Sequence, residues 1–150
     1  MAIRTLVLAF FLVFGGLCGW SQSWDCEILP AEQKVEIDPE SGARVVFVTS
    51  SPAADTNFYF HERCFLWNNR LMLFVSDRFG RGEMMGYLLD TGELVRFMLP
   101  EDPGIGGRVA SIKGERIYVV KEGGLCEWKL DISLEPKSSV RVTERRLAAL

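Results

Sequence analysis

Two stretches of this chain spell out the same order of strands and turns, and that doubling limits the fold more than any single motif does. Residues 64–99 and 110–143 each run apolar strand, polar turn, long apolar strand, Gly-bearing loop and a strand ending in Asp. Asn69-Arg70-Leu71-Met72-Leu73-Phe74-Val75 lies over Glu115-Arg116-Ile117-Tyr118-Val119-Val120-Lys121 at an offset of 46 positions. Tyr87-Leu88-Leu89-Asp90 lies over Trp128-Lys129-Leu130-Asp131 at 41, which makes the intervening loop five residues shorter in the second copy. An offset in the forties with four short strands per unit is the pattern of a β-propeller blade. The expected fold class is all-β, a partial β-propeller of about two and a half four-stranded antiparallel blades.

The first residues read as a leader, a signal helix that stands apart from the fold. Arg4 supplies a positive start, Leu6 to Leu17 form an apolar run of twelve residues, and Ser21 and Ser23 are candidate positions just before a cleavage site. Twelve residues are too few to cross a bilayer core of roughly 30 Å as a helix. Residues 1–23 are therefore expected to be a signal peptide, and the product to be exported, periplasmic or extracellular, with no membrane attachment after cleavage. Lipidation at Cys18 is the rival reading, although Gly15-Gly16-Leu17 lacks the small residue wanted directly before such a Cys. The 17 basic side chains of the whole chain lose Arg4 with the leader, leaving 16 against 20 acidic ones. A mildly acidic product has no electrostatic footprint for nucleic acid. Cys26, Cys64 and Cys126 remain; packed thiols are expected for the two in strand patterns, and a bridge from Cys26 stays open.

Beyond the leader, Trp24 to Gln33 reads as an irregular lead-in. Asp38-Pro39-Glu40-Ser41-Gly42 has turn composition and separates two short strands, giving half a blade at 35–49. Ser50 to Thr56 reads as a linker. One full blade is expected at 58–99, with strands near 58–67, 70–76, 84–89 and 94–99, and a second at 108–143, with strands near 108–112, 116–120, 125–131 and 139–143. Leu71 to Val75 is apolar without alternation, as suits a strand covered on both faces. The closing residues 144–150 read as one or two helical turns, or as a connection to a further blade.

At Phe65 to Glu93 the pattern becomes specific enough to name. Leu71-Met72-Leu73-Phe74-Val75-Ser76-Asp77-Arg78-Phe79-Gly80, followed by Gly86-Tyr87-Leu88-Leu89-Asp90-Thr91-Gly92-Glu93, resembles the repeat of the WD40-like exported propellers. Within that group, Asp38 to Gly42, Asn57-Phe58-Tyr59-Phe60-His61 and the segment up to Glu93 are most similar to the N-terminal region of oligogalacturonate lyases. The resemblance runs over roughly 35–131. Asn68-Asn69 replaces the usual Pro-Asp-Gly turn, and the second copy keeps little of the Ser-Asp-Arg element.

Such a resemblance implies a seven-bladed propeller that cleaves pectin-derived oligogalacturonides by β-elimination. A base removes the proton α to a uronate carboxylate, while a divalent metal such as manganese and an Arg stabilise the enolate-like charge. It also implies a metal site built from several His on later blades. This chain has one His, so no catalytic residue and no metal ligand is assigned, and a fragment of this length is expected to be inactive alone. The implied partner is an oligogalacturonide or other acidic glycan. The alternative is a non-enzymatic WD40-like propeller scaffold that binds protein or glycan, as in the periplasmic Tol-Pal system. A propeller preceding a serine peptidase domain, marked by a downstream Gly-x-Ser-x-Gly, is a third reading.

Three residues are candidate substrate contacts. His61 lies where the chain enters the innermost strand, Arg63 follows it, and Arg78 sits in the loop between the second and third strands; guanidinium and imidazolium both suit an anionic sugar. Each has a plainer reading, His61 as a hydrogen-bonded or exposed side chain and Asp77-Arg78 as a surface turn. Trp67, Trp128, Tyr87 and Phe74 are expected in the core between blades rather than in a sugar-stacking set.

Overall fold

The computed structural model describes residues 21–97 and 101–150. The leader expected over 1–23 lies outside the described residues except for 21–23. All regular structure among them is strand. In chain order these are β1 (Ser21–Asp25), β2 (Glu27–Leu29), β3 (Lys34–Ile37), β4 (Arg44–Phe47), β5 (Asp55–Thr56), β6 (Leu71–Ser76), β7 (Glu83–Leu88), β8 (Leu94–Arg96), β9 (Arg108–Ala110), β10 (Arg116–Lys121), β11 (Gly124–Ser133) and β12 (Ser139–Ala149). They form one sheet ordered β5-β6-β7-β8-β2, another ordered β9-β10-β11-β12-β1, and a separate β3-β4 hairpin. Each sheet is thus a four-strand antiparallel meander, the unit of a blade, with one extra strand on its outer edge.

The extra strands come from the segment that reads as an irregular lead-in. Ser21 to Asp25 pair with Arg145 to Arg141, Cys26 donates its amide to the Val140 carbonyl at 2.8 Å, and Glu27 to Leu29 then pair with Arg96 to Leu94. One short run of chain therefore straps the outer edges of both sheets, satisfying backbone groups that would otherwise face water. Its sequence has no strand pattern because Trp24 is the only residue of β1 that is buried. The strand comes from its partner, as strand propensity usually does.

The doubled pattern survives with one change of register. Leu71 faces Leu88 and Ile117 faces Trp128, so Leu88, not Tyr87, is the counterpart of Trp128, and the second offset is 40. The loop of the second copy is consequently six residues shorter, not five. Side chains alternate between faces, and a slip of one would carry Trp128 to the opposite face. Leu71, Leu88, Ile117 and Trp128 are all at most 1% exposed, which leaves only one register. The closing residues 144–149 continue β12 instead of coiling, because β11 pairs with them as far as Gly124↔Ala149.

Both faces of the first sheet are covered. Leu71, Leu73, Met84 and Leu88 enter a large core with Trp128, Ile117, Val119, Phe97 and Trp24, while Phe74, Met85, Tyr87 and Leu94 enter a smaller one sealed by Leu29, Val48 and Phe79. Of the four aromatic residues expected in the core, Trp128, Tyr87 and Phe74 are buried and Trp67 is 54% exposed. Cys26, Cys64 and Cys126 are all free thiols. Burial first, and the Asp25 charge second, push the Cys26 thiol up to about 12, which makes it a packing group rather than a nucleophile.

Within 35–49, where half a blade is expected, the chain forms the separate β3-β4 hairpin. Its turn is built as its composition implies: Asp38 Oδ1 accepts from the Ser41 amide at 2.7 Å and the Ser41 hydroxyl at 2.6 Å, and Gly42 takes φ 71°. Val35 and Ile37 point to one side and Val45 and Phe47 to the other, and all four are exposed.

Gly86 marks the tightest point of the large core. A Cβ built there would stand 2.9 Å from Leu71 Cδ1 and 3.2 Å from the Phe97 ring. Gly86→Val should therefore lower the free energy of unfolding in urea by about 1–3 kcal/mol. Ile37→Thr, on the exposed hairpin, should change it by less than about 0.5 kcal/mol. Equal effects from the two substitutions would contradict this placement of the core.

Candidate functional site at the inner strand edges

The innermost strand of the first sheet is interrupted, and the interruption carries the only His in the chain. Thr56 pairs with Val75, and Phe65 next bridges to Met72. Over that interval β6 retreats three positions while the inner chain advances nine, so six extra residues leave the ladder. The strand expected over 58–67 is accordingly an excursion held between two short contacts. In the second sheet β9 runs against β10 without a break, from Arg108↔Val119 to Ala110↔Ile117. The excursion therefore distinguishes the two copies.

The fold pins the excursion at both ends and exposes its tip. Phe58 is buried in the large core. The Glu62 amide donates to the Tyr59 carbonyl at 2.7 Å, and the Tyr59 amide donates to Glu62 Oε2 at 3.2 Å, which closes a turn on itself. Leu73 then donates to the Cys64 carbonyl at 2.7 Å, and Ala110 of β9 donates to the Arg63 carbonyl at 3.1 Å. The second contact ties the excursion to the inner strand of the neighbouring sheet. At the tip, Tyr59 and Phe60 are 64% and 77% exposed. The His61 ring lies 3.9 Å from Phe60 and 5.6 Å from Tyr59 by centroid. Phe60, His61, Glu62, Arg63, Cys64 and Phe65 line an open concavity of about 370 Å³. Three clustered rings beside a cation make a surface on which a sugar face can stack while its acid group is held.

The three residues singled out from sequence do not share one place. His61 and Arg63 sit together on the excursion, both exposed. Arg78 is held inside a brace: its Nη1 donates to Glu32 at 2.7 Å, Nη2 to Asp55 at 3.3 Å and Nε to the Ser76 hydroxyl at 2.9 Å, and the side chain is 9% exposed. Glu32 also accepts the Ser50 and Ser51 amides. Burial would raise the Glu32 carboxyl, but the Arg78 hydrogen bond and the two amides hold it below the usual carboxylate range. Arg78 thus fixes the segment leading into β5. The neighbouring Asp77 accepts the Ala54 amide at 2.8 Å, as its reading as a turn residue implies.

Arg108 was not legible as a site residue, yet it adjoins the excursion. It opens β9 on the same face as Ala110, and its guanidinium carbon stands 4.9 Å from the centre of the Phe58 ring. Nothing in the sequence marks it, since Phe58 is fifty positions away.

A second group of charges is engaged within the protein. Glu83, with a side chain 2% exposed, accepts from Arg96 Nε at 2.9 Å and Arg81 Nε at 2.8 Å, while Lys121 pairs with Asp102 at 2.9 Å and reaches Glu144 at 3.8 Å. Among the described residues no three His, Cys, Asp or Glu side chains converge as metal ligands.

These features are those of an all-β chain whose two meander sheets and hairpin make part of a β-propeller, with an aromatic and cationic excursion on its inner edge. Among the solved structures it is similar to are oligogalacturonate lyases. One, from Vibrio parahaemolyticus, has a TM-score of 0.55 and 19% identity over 77% of this chain and 30% of that one. Another, an oligogalacturonate lyase in complex with manganese, has a TM-score of 0.56 and 21% identity over 69% of this chain and 28% of that one. The likeness is one of fold, and it falls on the group that the sequence resembles. The chain spans under a third of the length of either lyase. No protein-family model and no curated protein matches the sequence.

The charge cluster sets an acid response. Burial would raise the Glu83 carboxyl, but hydrogen bonds from Arg96 and then Arg81 hold it below its ordinary 4.5. A depressed carboxylate contributes stability that is present above its unfolded value and is lost as pH falls through the folded one. Stability should therefore decline below about pH 4.5. Glu83→Gln should cost about 3–5 kcal/mol near neutrality, since it breaks a buried pair, and should flatten that acid decline in thermal melts taken across pH. An unchanged acid limb in the variant would remove Glu83 from this role.

Proposed function

We propose that this chain is part of an exported oligogalacturonate-lyase-like propeller, and that its share of the function is to hold an acidic glycan rather than to cleave it. The excursion carries this reading: Tyr59, Phe60 and His61 offer adjoining ring faces beside Arg63, at the inner strand edge that faces the central channel of a propeller. The fold likeness to oligogalacturonate lyases supports the substrate class, because a polyuronate presents sugar faces and carboxylates in alternation. With one His in the whole sequence, the chain lacks the His set implied for the metal and base of β-elimination. Arg78 belongs to this reading as the brace behind β5, and His61 and Arg63 as direct contacts. Export rests on the leader pattern. Cleavage after Ser23 would remove three of the five β1 rungs and keep Trp24, which carries the burial of that strand.

Trigalacturonate titrated into the purified chain should bind measurably by calorimetry, and more weakly as salt rises, since exposed charges at the site are screened. The same mixture should develop no near-ultraviolet absorbance from unsaturated uronides. Formation of those uronides would overturn the assignment of binding without cleavage, and absence of binding would overturn the acidic-glycan reading.

A further inference from the structure

Almost every arginine among the described residues is already answered by the protein. Arg70 pairs with Glu115, Arg78 with Glu32 and Asp55, Arg96 with Glu83, Arg141 with Asp25 and Arg145 with Glu127. Arg81 pairs with Glu83, Arg116 faces Glu127, and Arg146 donates to backbone carbonyls of the β10-β11 turn. Three remain with neither an ion pair nor a side-chain hydrogen bond: Arg44, Arg63 and Arg108. Arg44 is on the exposed hairpin. The other two meet at one seam, where Ala110, two residues beyond Arg108 on the same face of β9, donates to the Arg63 carbonyl.

Arg108 is the more telling of the two. It is half-buried, with Nε enclosed and without a hydrogen-bond partner, while its guanidinium carbon stands 4.9 Å from the centre of the buried Phe58 ring. A cation–π contact of this kind restrains a guanidinium without using its donors. The end-on pair Nη1 and Nη2 is left as a rigid fork, the geometry that takes a carboxylate through two parallel hydrogen bonds. Arg63 joins the same seam through its backbone carbonyl, and its side chain is exposed. Glu62 is the acidic side chain of the excursion, and its Oε2 is occupied by the Tyr59 amide.

We infer that Arg63 and Arg108 together form a subsite for a uronate carboxylate, one residue contributed by each sheet, with Phe58 holding the Arg108 fork in place. This rests on the acidic-glycan reading above and sharpens it: the rings at the tip would take a neutral sugar as readily, and the paired arginines are what select the acid. It also gives the excursion a reason to bridge two sheets, since neither sheet holds both cations.

The test uses the whole chain, titrated by calorimetry with trigalacturonate and with its fully methyl-esterified form, which keeps the sugar faces and removes the charge. The acid should bind at least about tenfold tighter than the ester. Arg108→Gln should weaken acid binding by about 10- to 100-fold and leave ester binding unchanged, and Arg63→Gln should act in the same direction. Phe58→Leu should reproduce part of the loss without removing a charge. Arg63 is exposed, so its variant tests the subsite even if a change at Arg108 or Phe58 disturbs folding, which thermal melting will show. Equal binding of acid and ester by the unmodified chain, or folded Arg63 and Arg108 variants with unchanged preference, would overturn the subsite while the glycan reading stands. No binding of either sugar would overturn both.

Discussion

The contact on which the rest of this structure depends is the meeting of Trp24, Trp128 and Phe97. Trp128 lies at the centre of the second sheet, Trp24 comes from its outermost strand, and Phe97 follows the last meander strand of the first sheet. Trp24 stands edge-on to Trp128 at 5.4 Å and donates its indole N–H to the Phe97 carbonyl at 2.8 Å. One side chain thereby satisfies its own donor, fills the core between the sheets and joins the two outer edges. The Trp128 N–H goes to Glu144 at 2.7 Å, which also faces Lys121, and Lys121 lies over the Trp24 ring at 5.7 Å. Indoles are suited to such a place because a large apolar body and a single donor can be buried together only where an acceptor waits. Trp24 is the one buried residue of β1, and this anchor gives that part of the strap a fixed register.

From that core the inner edge follows. The excursion could not hold a defined shape on its own, since its tip is exposed and its backbone has left the ladder. Phe58, buried in the same cluster as Trp128, anchors one end, and the amides of Leu73 and Ala110 fix the other. The rings and cations at the candidate site are therefore positioned by packing between sheets rather than by local turn chemistry. A site built in this manner requires both copies of the repeat to be in place, even though the excursion belongs to one.

How much of this was legible in the sequence depended on the range of the interaction. The meander strands apart from the innermost one of the first copy, the hairpin turn at Asp38 to Gly42 and the two-faced burial of Leu71 to Val75 follow from local composition and period, and these are present. The second offset was read one position out because Tyr87 was matched to Trp128 as aromatic to aromatic, whereas burial places Leu88 there. The strap was hidden because its strand character comes from distant partners. Arg78 and Arg108 show the same limit on the functional side. Both are arginines beside turn or glycine residues, and what separates them is whether an acid arrives from elsewhere in the chain: Glu32 reaches Arg78 across 46 positions, and no acid among the described residues pairs with Arg108.

The two copies also differ in the loop between their second and third strands, and the difference follows a division of labour. In the second copy that connection is a two-residue turn, Glu122 and Gly123 with φ 49° and 64°, the mirror-image turn that suits a tight hairpin and leaves no room for reaching side chains. In the first copy six added residues let Arg78 brace the approach to β5 and Arg81 reach Glu83 and the Asp102 carbonyl. The same copy has the added residues on its innermost strand. Both insertions thus lie in one unit: one provides the exposed rings, and the other secures the strand from which they emerge. The second copy keeps the uninterrupted scaffold against which the first is held, and it contributes at the inner edge through Arg108.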